Sequence, residues 1–438
     1  MKSKHGEHIK AISTTEQETW QDFTVKEGMK GDIDLKLNGE TKQKIEGLGG
    51  TFNEIGWELL TSLDKDDRQE VINEIFNPED GCKFNFCRLP IGASDFALKW
   101  YSHNETPGDF AMNNFSIDRD RDYLIPYIKE AQKLVPDLKL SASPWSPPTW
   151  MKKPERYNGG KMRWEEEVLK AYALYFVRFV EEYEKEGINI DQIHVQNEPT
   201  ADQKFPSCIW NGEEMRDFIR DYLGPAFDKY GIDSEIWLGT INSGFYNDYA
   251  SIVLHDDKAR QYITGVGYQW DGKFAVQRTK IAWPEIKLMQ TENECGDSQN
   301  TWGHANYVFD LLWHYFTNGV TTYLYWNMIL QPGGKSTWGW PQNSMITIDP
   351  EEKTITYNPE FYVMKHFSHF VEKGAVRKGL SGSWAGNTLG FENPDGSIVL
   401  VINNPFTEKK EISISVKNKE LQANLKPDSF NTIYVSNQ

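Results

Sequence analysis

The chain has 438 residues, of which 39% are hydrophobic, so it is long enough for a barrel with an additional domain. Its formal net charge is −17, and a surface of this sign repels phosphate backbones and anionic lipid, so neither nucleic acid nor a membrane is an expected partner. The simplest interpretation of the charge is that it keeps the protein soluble. No run of about 18 apolar residues occurs, so no transmembrane helix is expected.

The first twenty residues lack the apolar segment of a signal peptide. We therefore expect a cytoplasmic protein, or a secreted one if a signal was removed before this sequence begins. The four cysteines, Cys82, Cys87, Cys208 and Cys295, have neither zinc-type spacing nor the density of a disulfide framework. Free thiols in a reducing compartment are expected.

The predicted elements divide the chain into three parts. Residues 1–45 hold one strand candidate, Gly31–Leu37, and from residue 46 β-rich runs alternate with amphipathic helical patterns. The predicted strands are 46–52, 84–92, 139–145, 192–199, 235–242, 263–270, 287–293 and 321–328. The clearest helical patterns are 164–187, 303–319 and 358–373. Eight strand–helix units in series predict an α/β fold, a (β/α)₈ TIM barrel over residues 46–375.

The remaining residues, 376–438, show no helical pattern. Short alternating runs such as Ser397–Asn403 and Glu411–Val416 are separated by turn residues, which predicts a small antiparallel β-sandwich. The N-terminal strand candidate is expected to complete this side domain, so that both ends of the chain contribute to it.

Two glutamates stand at the predicted carboxyl ends of strands, where TIM barrels place their active sites. Glu198 follows strand four in HVQNEPT, and Glu292 closes strand seven in MQTENECG, so the two should face each other across the barrel mouth. Facing carboxyl groups fit glycoside hydrolysis, in which one is protonated and assists the leaving oxygen while the other is ionised. Glu294, beyond the strand end, is interpreted as an ordinary loop carboxylate.

Polar residues at neighbouring strand ends fit the same chemistry. Asn197 is expected to donate to the sugar 2-hydroxyl, a contact that strengthens at an oxocarbenium-like transition state. Arg88 is expected to pair with a carboxylate and keep it ionised, and Asp95 to accept hydrogen bonds from sugar hydroxyls.

Three tryptophans, Trp145, Trp270 and Trp326, lie at or near the ends of strands three, six and eight. For any one of them, core packing is as plausible as stacking on a sugar ring. Three at one rim favour stacking as the collective interpretation.

Metal and cofactor chemistry are poorly supported. The nine histidines form no ligand cluster at strand ends, and His366 and His369 share a face of a helix beyond the last strand, where packing is the expected role. The glycine-rich run Gly47–Gly50 is interpreted as a turn in strand one, because no phosphate-loop motif is present. No metal and no cofactor are expected.

The motifs GLGGTFNE, LPIGASDF, ASPWSPPTWMK, QNEP, QTENECG and YWNMIL, in this order, resemble glycoside hydrolase family 30, the glucosylceramidase-like retaining β-glycosidases. The resemblance spans roughly residues 45–372. It implies a (β/α)₈ barrel with a side β-sandwich built from both chain ends, with Glu198 as acid/base and Glu292 as nucleophile. It further implies a sugar subsite lined by five residues, Arg88, Asp95, Trp145, Asn197 and Trp326.

One departure from the family pattern concerns the end of strand six. Glucosylceramidase-like members usually carry His-x-Tyr there, with the tyrosine near the nucleophile, whereas this chain has Tyr268-Gln269-Trp270. Trp270 is interpreted as filling the tyrosine position, where it would narrow the sugar pocket or supply a stacking wall. The alternative is that Trp270 turns into the barrel core.

The leading hypothesis is a retaining β-glycosidase, most simply a β-glucosidase, that acts on a β-linked oligosaccharide or glycoside. Alternatives within the family are a β-1,6-glucanase, a β-xylosidase or a β-fucosidase. A catalytically inactive carbohydrate-binding protein is the alternative from another class, and a metal-dependent barrel hydrolase is disfavoured by the absent ligands. The sequence does not specify an oligomeric state.

Overall fold

A computed structural model describes residues 9–28 and 31–437. In chain order, the strands are β1 (Ile9–Thr14), β2 (Gln21–Asp22), β3 (Val25–Glu27), β4 (Leu35–Lys44), β5 (Gly47–Thr51), β6 (Phe86–Ile91), β7 (Lys139–Pro144), β8 (Lys152–Lys153), β9 (Lys161–Met162), β10 (Gln192–His194), β11 (Glu235–Ile241), β12 (Ile263–Gln269), β13 (Lys287–Glu292), β14 (Thr322–Asn327), β15 (Ile329–Leu330), β16 (Ile346–Asp349), β17 (Thr354–Tyr357), β18 (Val376–Ser381), β19 (Thr388–Glu392), β20 (Ile398–Asn404), β21 (Lys410–Val416), β22 (Lys419–Leu425) and β23 (Ser429–Val435).

The helices are α1 (Glu54–Ser62), α2 (Lys65–Phe76), α3 (Asp118–Asp122), α4 (Leu124–Leu134), α5 (Glu166–Lys185), α6 (Gly212–Phe218), α7 (Gly224–Tyr230), α8 (Ala250–Leu254), α9 (Asp257–Arg260), α10 (Lys273–Ala282), α11 (Trp302–Thr317) and α12 (Pro359–Ser368). A π-helical turn over Ile219–Leu223 joins α6 to α7. The predicted helices at 164–187, 303–319 and 358–373 correspond to α5, α11 and α12.

A closed barrel of parallel strands forms the centre of the described chain. Its order is β5, β6, β7, β10, β11, β12, β13 and β14, with β14 pairing back to β5. The predicted eight-stranded TIM barrel is therefore confirmed. The interpretation of Gly47–Gly50 as a turn is wrong, because these residues lie within β5. Glycine is needed there for close packing: a Cβ on Gly49 would lie 1.6 Å from the carbonyl oxygen of Phe86.

The fourth barrel strand is shorter than predicted. β10 ends at His194, but backbone hydrogen bonds to the adjacent strand β11 continue beyond it. The Thr240 N–H donates to the oxygen of Gln196 at 2.6 Å, and the Glu198 N–H donates to the oxygen of Thr240 at 3.1 Å. On the other side, the Asn197 N–H donates to the oxygen of Pro144 at 2.8 Å. Asn197 and Glu198 therefore lie on a segment that is fixed from both sides.

A second sheet contains strands from both ends of the described chain. Its order is β2-β1-β23-β20-β19-β18-β4-β21-β22-β3, and its pairs are antiparallel except for β4 with β21. Apolar side chains from its two halves form one buried cluster, which makes the sheet a sandwich. The predicted side domain is confirmed.

The N-terminal strand candidate, Gly31–Leu37, is placed wrongly. The strand begins at Leu35 and runs to Lys44, with only Leu35 fully buried and the rest largely exposed. A solvent-exposed strand of polar residues shows no apolar alternation, so its sequence pattern is weak.

The sandwich and the barrel are joined through α12. His366 is buried, and its ring nitrogens lie 2.9 Å from the hydroxyls of Thr14 on β1 and Thr432 on β23. His366 therefore has a structural role between the two domains, as expected from its position on the helix beyond the last barrel strand.

Candidate active site

Glu292, the last residue of β13, is held by donors from two other barrel strands. Arg88 on β6 donates from Nη1 to Glu292 Oε2 at 2.7 Å, and Gln269 at the end of β12 donates from Nε2 to the same oxygen at 3.0 Å. Burial raises the pKa of Glu292, while the charge and hydrogen bond of Arg88 oppose that rise. A charged donor at this distance stabilises the ionised form of the carboxyl group.

Asn197 is oriented by three donors that converge on its side-chain oxygen. Arg88 Nη2, Gln269 Nε2 and Thr240 Oγ1 lie 2.6, 2.9 and 3.0 Å from Asn197 Oδ1. Arg88 is itself fixed by Ser143, whose Oγ accepts from Nη2 at 2.8 Å. With its oxygen engaged, Asn197 has its Nδ2 group left to donate to a bound molecule.

Glu198 is half-buried at the edge of the same cavity and has an unusual backbone conformation. Its φ is +46°, a left-handed value that costs a residue other than glycine about 1–3 kcal/mol. The flanking hydrogen bonds of the segment hold it there. Burial, followed by the charges of Glu292 and Asp95, raises the pKa of Glu198 well above its usual range.

Asp95 presents an unpaired acceptor to the cavity. Its Oδ1 is buried and has no hydrogen-bond partner within the described residues, while Oδ2 accepts from Gln342 Nε2 at 3.4 Å. Gln342 is held by Trp326 Nε1 and Asn327 Nδ2, which donate to its Oε1 at 2.9 and 2.8 Å. Burial, with the charge of Glu292, raises the pKa of Asp95 to about 8.

The three predicted tryptophans have different positions. Trp145 lines the cavity and stacks on Trp326, with ring centroids 5.3 Å apart and an interplanar angle of 27°. Trp326 lies behind it and is 1% exposed. Trp270 follows β12 and also lines the cavity, with Lys273 Nζ 5.1 Å from its ring centroid.

These residues surround a cavity of about 280 Å³ at the carboxyl ends of the barrel strands. Predicted residues at its surface are Asp95, Trp145, Asn197, Glu198, Trp270 and Glu292. Arg88 and Trp326 lie beneath that surface and support it. Residues at its surface that were not predicted as substrate-binding are Gln203, Phe205, Glu294, Cys295, Gly296, Trp338, Trp340 and Gln342.

Some of the missed residues carry a sequence signal and others do not. Gln269 lies two and four residues after Gly267 and Gly265 on β12, so strand alternation puts its side chain on the same face, toward the barrel interior. Phe205, Trp338 and Trp340 lie on loops without periodicity, so no pattern marks them.

A larger cavity, about 660 Å³, lies at the opposite, amino-terminal face of the barrel. Its charged groups pair with each other, as Lys287 Nζ does with Glu46 Oε1 at 3.0 Å. The smaller cavity is the better candidate because it contains carboxyl groups with different protonation preferences, which function in acid–base chemistry.

The two glutamates of the smaller cavity differ in their partners. Glu292 is bonded to a buried guanidinium, whereas burial and two neighbouring carboxyl groups favour the protonated form of Glu198. Glycosidic bond cleavage uses a pair of carboxyl groups of which one favours the ionised form and the other the protonated form. Fold and site together define a glycoside hydrolase.

Sequence comparisons identify the family. Residues 45–371 match the glycosyl hydrolase family 30 TIM-barrel domain, and residues 374–433 match the glycosyl hydrolase family 30 beta sandwich domain. The chain belongs to glycosyl hydrolase family 30.

Individual relatives agree with this assignment. Putative glucosylceramidase 1 of Caenorhabditis elegans is 34% identical over 402 residues, which cover 85% of this chain and 76% of the relative. Two solved structures, SrfJ from Salmonella typhimurium and the endo-beta1,6-glucanase BT3312, superpose with TM-scores of 0.89 at 26% and 25% identity. Each superposition covers 98% of this chain and 100% of the other.

Among the residues that the structure describes, no group of three or more His, Cys, Asp or Glu side chains is arranged to hold a metal ion. No helix within the same residues is long and apolar enough to cross a bilayer.

Proposed function

We propose that the protein is a retaining β-glycosidase that hydrolyses β-glucosides by double displacement. The observation that carries the proposal is the 2.7 Å ion pair between Arg88 and Glu292, which supports an ionised Glu292, while burial and neighbouring charges raise the pKa of Glu198. Glu292 is therefore the nucleophile and Glu198 the acid/base.

In the first step, Glu292 attacks the anomeric carbon and forms a covalent glycosyl ester. The bond from that carbon to the glycosidic oxygen breaks, and Glu198 gives its proton to the departing oxygen. Loss of that proton leaves Glu198 ionised, ready to act as a base.

In the second step, Glu198 takes a proton from water, and the water oxygen attacks the anomeric carbon. The ester bond to Glu292 breaks, and Glu292 recovers its charge beside Arg88. Two inversions at one carbon restore the β-configuration in the released sugar. The free Nδ2 group of Asn197 supports a hydrogen bond from this residue to the 2-hydroxyl during both steps.

Glucose is the proposed sugar on the non-reducing side of the cleaved bond. The relatives named glucosylceramidase and endo-1,6-beta-D-glucanase support this, because both names specify a glucosyl or glucan substrate. The cavity has a volume of about 280 Å³, slightly less than the roughly 300–1,000 Å³ of pockets that bind drug-sized ligands. A cavity of this volume suits one sugar ring.

The second candidate is hydrolysis of internal β-1,6-glucan linkages by the same two glutamates. It is favoured by the superposition on an endo-beta1,6-glucanase with a TM-score of 0.89. The products distinguish the two candidates: glucose alone from β-1,6-glucan indicates terminal cleavage, and early oligosaccharides indicate internal cleavage.

Proton NMR of the first product tests the mechanism. With 4-nitrophenyl β-glucoside, we expect β-glucose to appear before mutarotation produces the α-anomer. α-Glucose as the first anomer would contradict double displacement. Absence of turnover on every β-glycoside in a panel of glucosides, xylosides and fucosides would instead support the inactive carbohydrate-binding alternative.

A further inference from the structure

Three aromatic residues form a group at the mouth of the cavity, here called the aromatic rim: Phe205, Trp338 and Trp340. Trp338 and Trp340 are stacked, with ring centroids 5.3 Å apart and an interplanar angle of 20°. Phe205, from the loop that follows Glu198, packs against Trp338 with ring centroids 5.2 Å apart. The rim therefore connects the loop after β10 with the loop after β15.

The loop that carries the two tryptophans is fixed by its own hydrogen bonds. Ser336 donates from its N–H to the oxygen of Trp340 at 2.9 Å, and Gln342 donates to the oxygen of Gly334 at 2.9 Å. Thr337 donates from Oγ1 to the backbone oxygen of Asp95 at 2.8 Å. The tryptophan loop is thus fixed against the segment that carries Asp95, which reduces the ordering cost of binding.

Exposure increases from the floor of the cavity to the rim. Asp95 and Glu292 are each 4% exposed, Glu198 is half-buried, and Trp340 is 50% exposed. The sugar that Glu292 attacks occupies the buried end. The glycosidic oxygen must reach Glu198, so the leaving group extends outward from there, toward the rim.

We propose that the aromatic rim is a binding subsite for the leaving group and that this group is a second sugar ring. The inference rests on the proposed function and specifies its substrate class as β-glucosyl disaccharides and oligosaccharides. The face of Trp340 stacks on the C–H face of the leaving sugar. Trp338 supports that face from behind.

Polar groups at the rim favour a sugar over an alkyl chain. Gln203 and Glu294 line the cavity beside the aromatic residues and offer partners for hydroxyl groups.

The test compares leaving groups with and without a sugar ring. Wild type and Trp340→Ala are assayed on β-glucosyl fluoride and on β-1,3-, β-1,4- and β-1,6-linked glucosyl disaccharides. We expect kcat/KM on the best disaccharide to fall about tenfold more than kcat/KM on the fluoride, a difference of about 1.4 kcal/mol. Trp164→Ala is the matched control, since Trp164 is 42% exposed and lies outside the cavity.

Three results overturn the inference: equal losses on fluoride and disaccharide, no loss on any disaccharide, or a larger loss on octyl β-glucoside than on the disaccharides. The last would identify an alkyl-binding surface. A wild type that does not hydrolyse β-glucosyl fluoride would refute the proposed function separately. Calorimetric binding of the same disaccharides to Glu292→Gln, with and without Trp340→Ala, tests the rim without turnover, and unchanged affinity would also reject it.

Discussion

Arg88 and Glu292 form an ion pair that is almost completely removed from solvent, with Nη1 and Oε2 2.7 Å apart and side-chain exposures of 1% and 6%. The pair connects the second barrel strand with the seventh across the barrel interior. Because each charge is buried, neither partner can be removed without leaving the other uncompensated. Stability and the ionisation of Glu292 are therefore coupled at one contact.

Arg88→Met should raise the pKa of Glu292, because the guanidinium charge and hydrogen bond that favour the ionised form are lost. The ionised nucleophile is lost as pH falls through its pKa, so the acid limb of kcat/KM should move to higher pH. We expect a shift of about one unit or more and a loss of about 3–5 kcal/mol in the free energy of unfolding. The pH profile and urea denaturation measure these effects.

Arg119→Met serves as the matched control for this prediction. Arg119 pairs with Glu54 at 2.8 Å, outside the cavity, so its removal should affect stability without moving the acid limb. An acid limb that is unchanged in Arg88→Met would show that Arg88 does not set the ionisation of Glu292.

The two glutamates should respond differently to the leaving group. Glu292→Gln should reduce turnover of every substrate to background, because no other group can form the glycosyl ester. Glu198→Ala should lower kcat/KM by about 10²–10⁴ on substrates with poor leaving groups and far less on activated aryl glucosides. Azide should partly restore the second variant. Full activity in Glu292→Gln together with a dead Glu294→Gln would reassign the nucleophile.

Asp95→Asn should move the alkaline limb of kcat/KM to lower pH. The charge of Asp95 raises the pKa of Glu198, so its removal lowers that pKa and Glu198 loses its proton earlier. The asparagine also removes the ionisation of Asp95 itself, whose pKa is about 8. The pH profile on an unactivated glucoside measures the shift, and an alkaline limb at the wild-type position would contradict it.

Trp270→Tyr tests whether the wall beside the nucleophile selects the sugar. Because Trp270 lines the cavity, a smaller ring should change the relative rates on β-glucosides, β-xylosides and β-fucosides, by about 1–3 kcal/mol per small group. The measurement is kcat/KM on the three aryl glycosides. If kcat/KM fell by the same factor on all three glycosides, Trp270 would stabilise the fold or position Glu292 and would not select the sugar.

Cys295 offers a test of the active-site field that does not require turnover. Its Sγ lies 3.9 Å from Glu292 Oε1, and burial, with the charge of Glu292, raises the pKa of the thiol well above its usual range. Glu292→Gln should therefore speed alkylation of Cys295 by iodoacetamide about tenfold or more. Mass spectrometry of labelled peptides measures the rate, with buried Cys208 as internal reference. An equal rate in both proteins would contradict the predicted field.

Much of the fold and of the candidate site can be predicted from the sequence. Barrel strands are buried and have strong β patterns, and a carboxylate at a strand end has a defined location in a TIM barrel. Glu198, Glu292 and Asp95 are all predicted at the carboxyl ends of barrel strands, and they line one cavity. Sequence reasoning also pairs Arg88 with a carboxylate, although the partner could not be specified without the barrel geometry.

The features that sequence reasoning missed depend on long-range contacts. β4 is exposed and polar, so its bounds follow from its neighbours in the sheet and not from its own pattern. Gln269 acts on Glu292 only because β12 and β13 are adjacent. The aromatic rim forms where Phe205 meets Trp338, residues from two distant loops whose conformations are fixed by hydrogen bonds and not by periodicity.

The pairing of β1 with β23 joins two segments that are far apart in the sequence. Residues 9–14 pair with residues 429–435, and all eight barrel strands lie between these two segments in the sequence. Because β23 is the partner of one edge of β1, that edge can be paired only after residues 429–435 have been synthesised. His366 on α12 contacts both strands, so completion of this pairing also fastens the sandwich to the barrel.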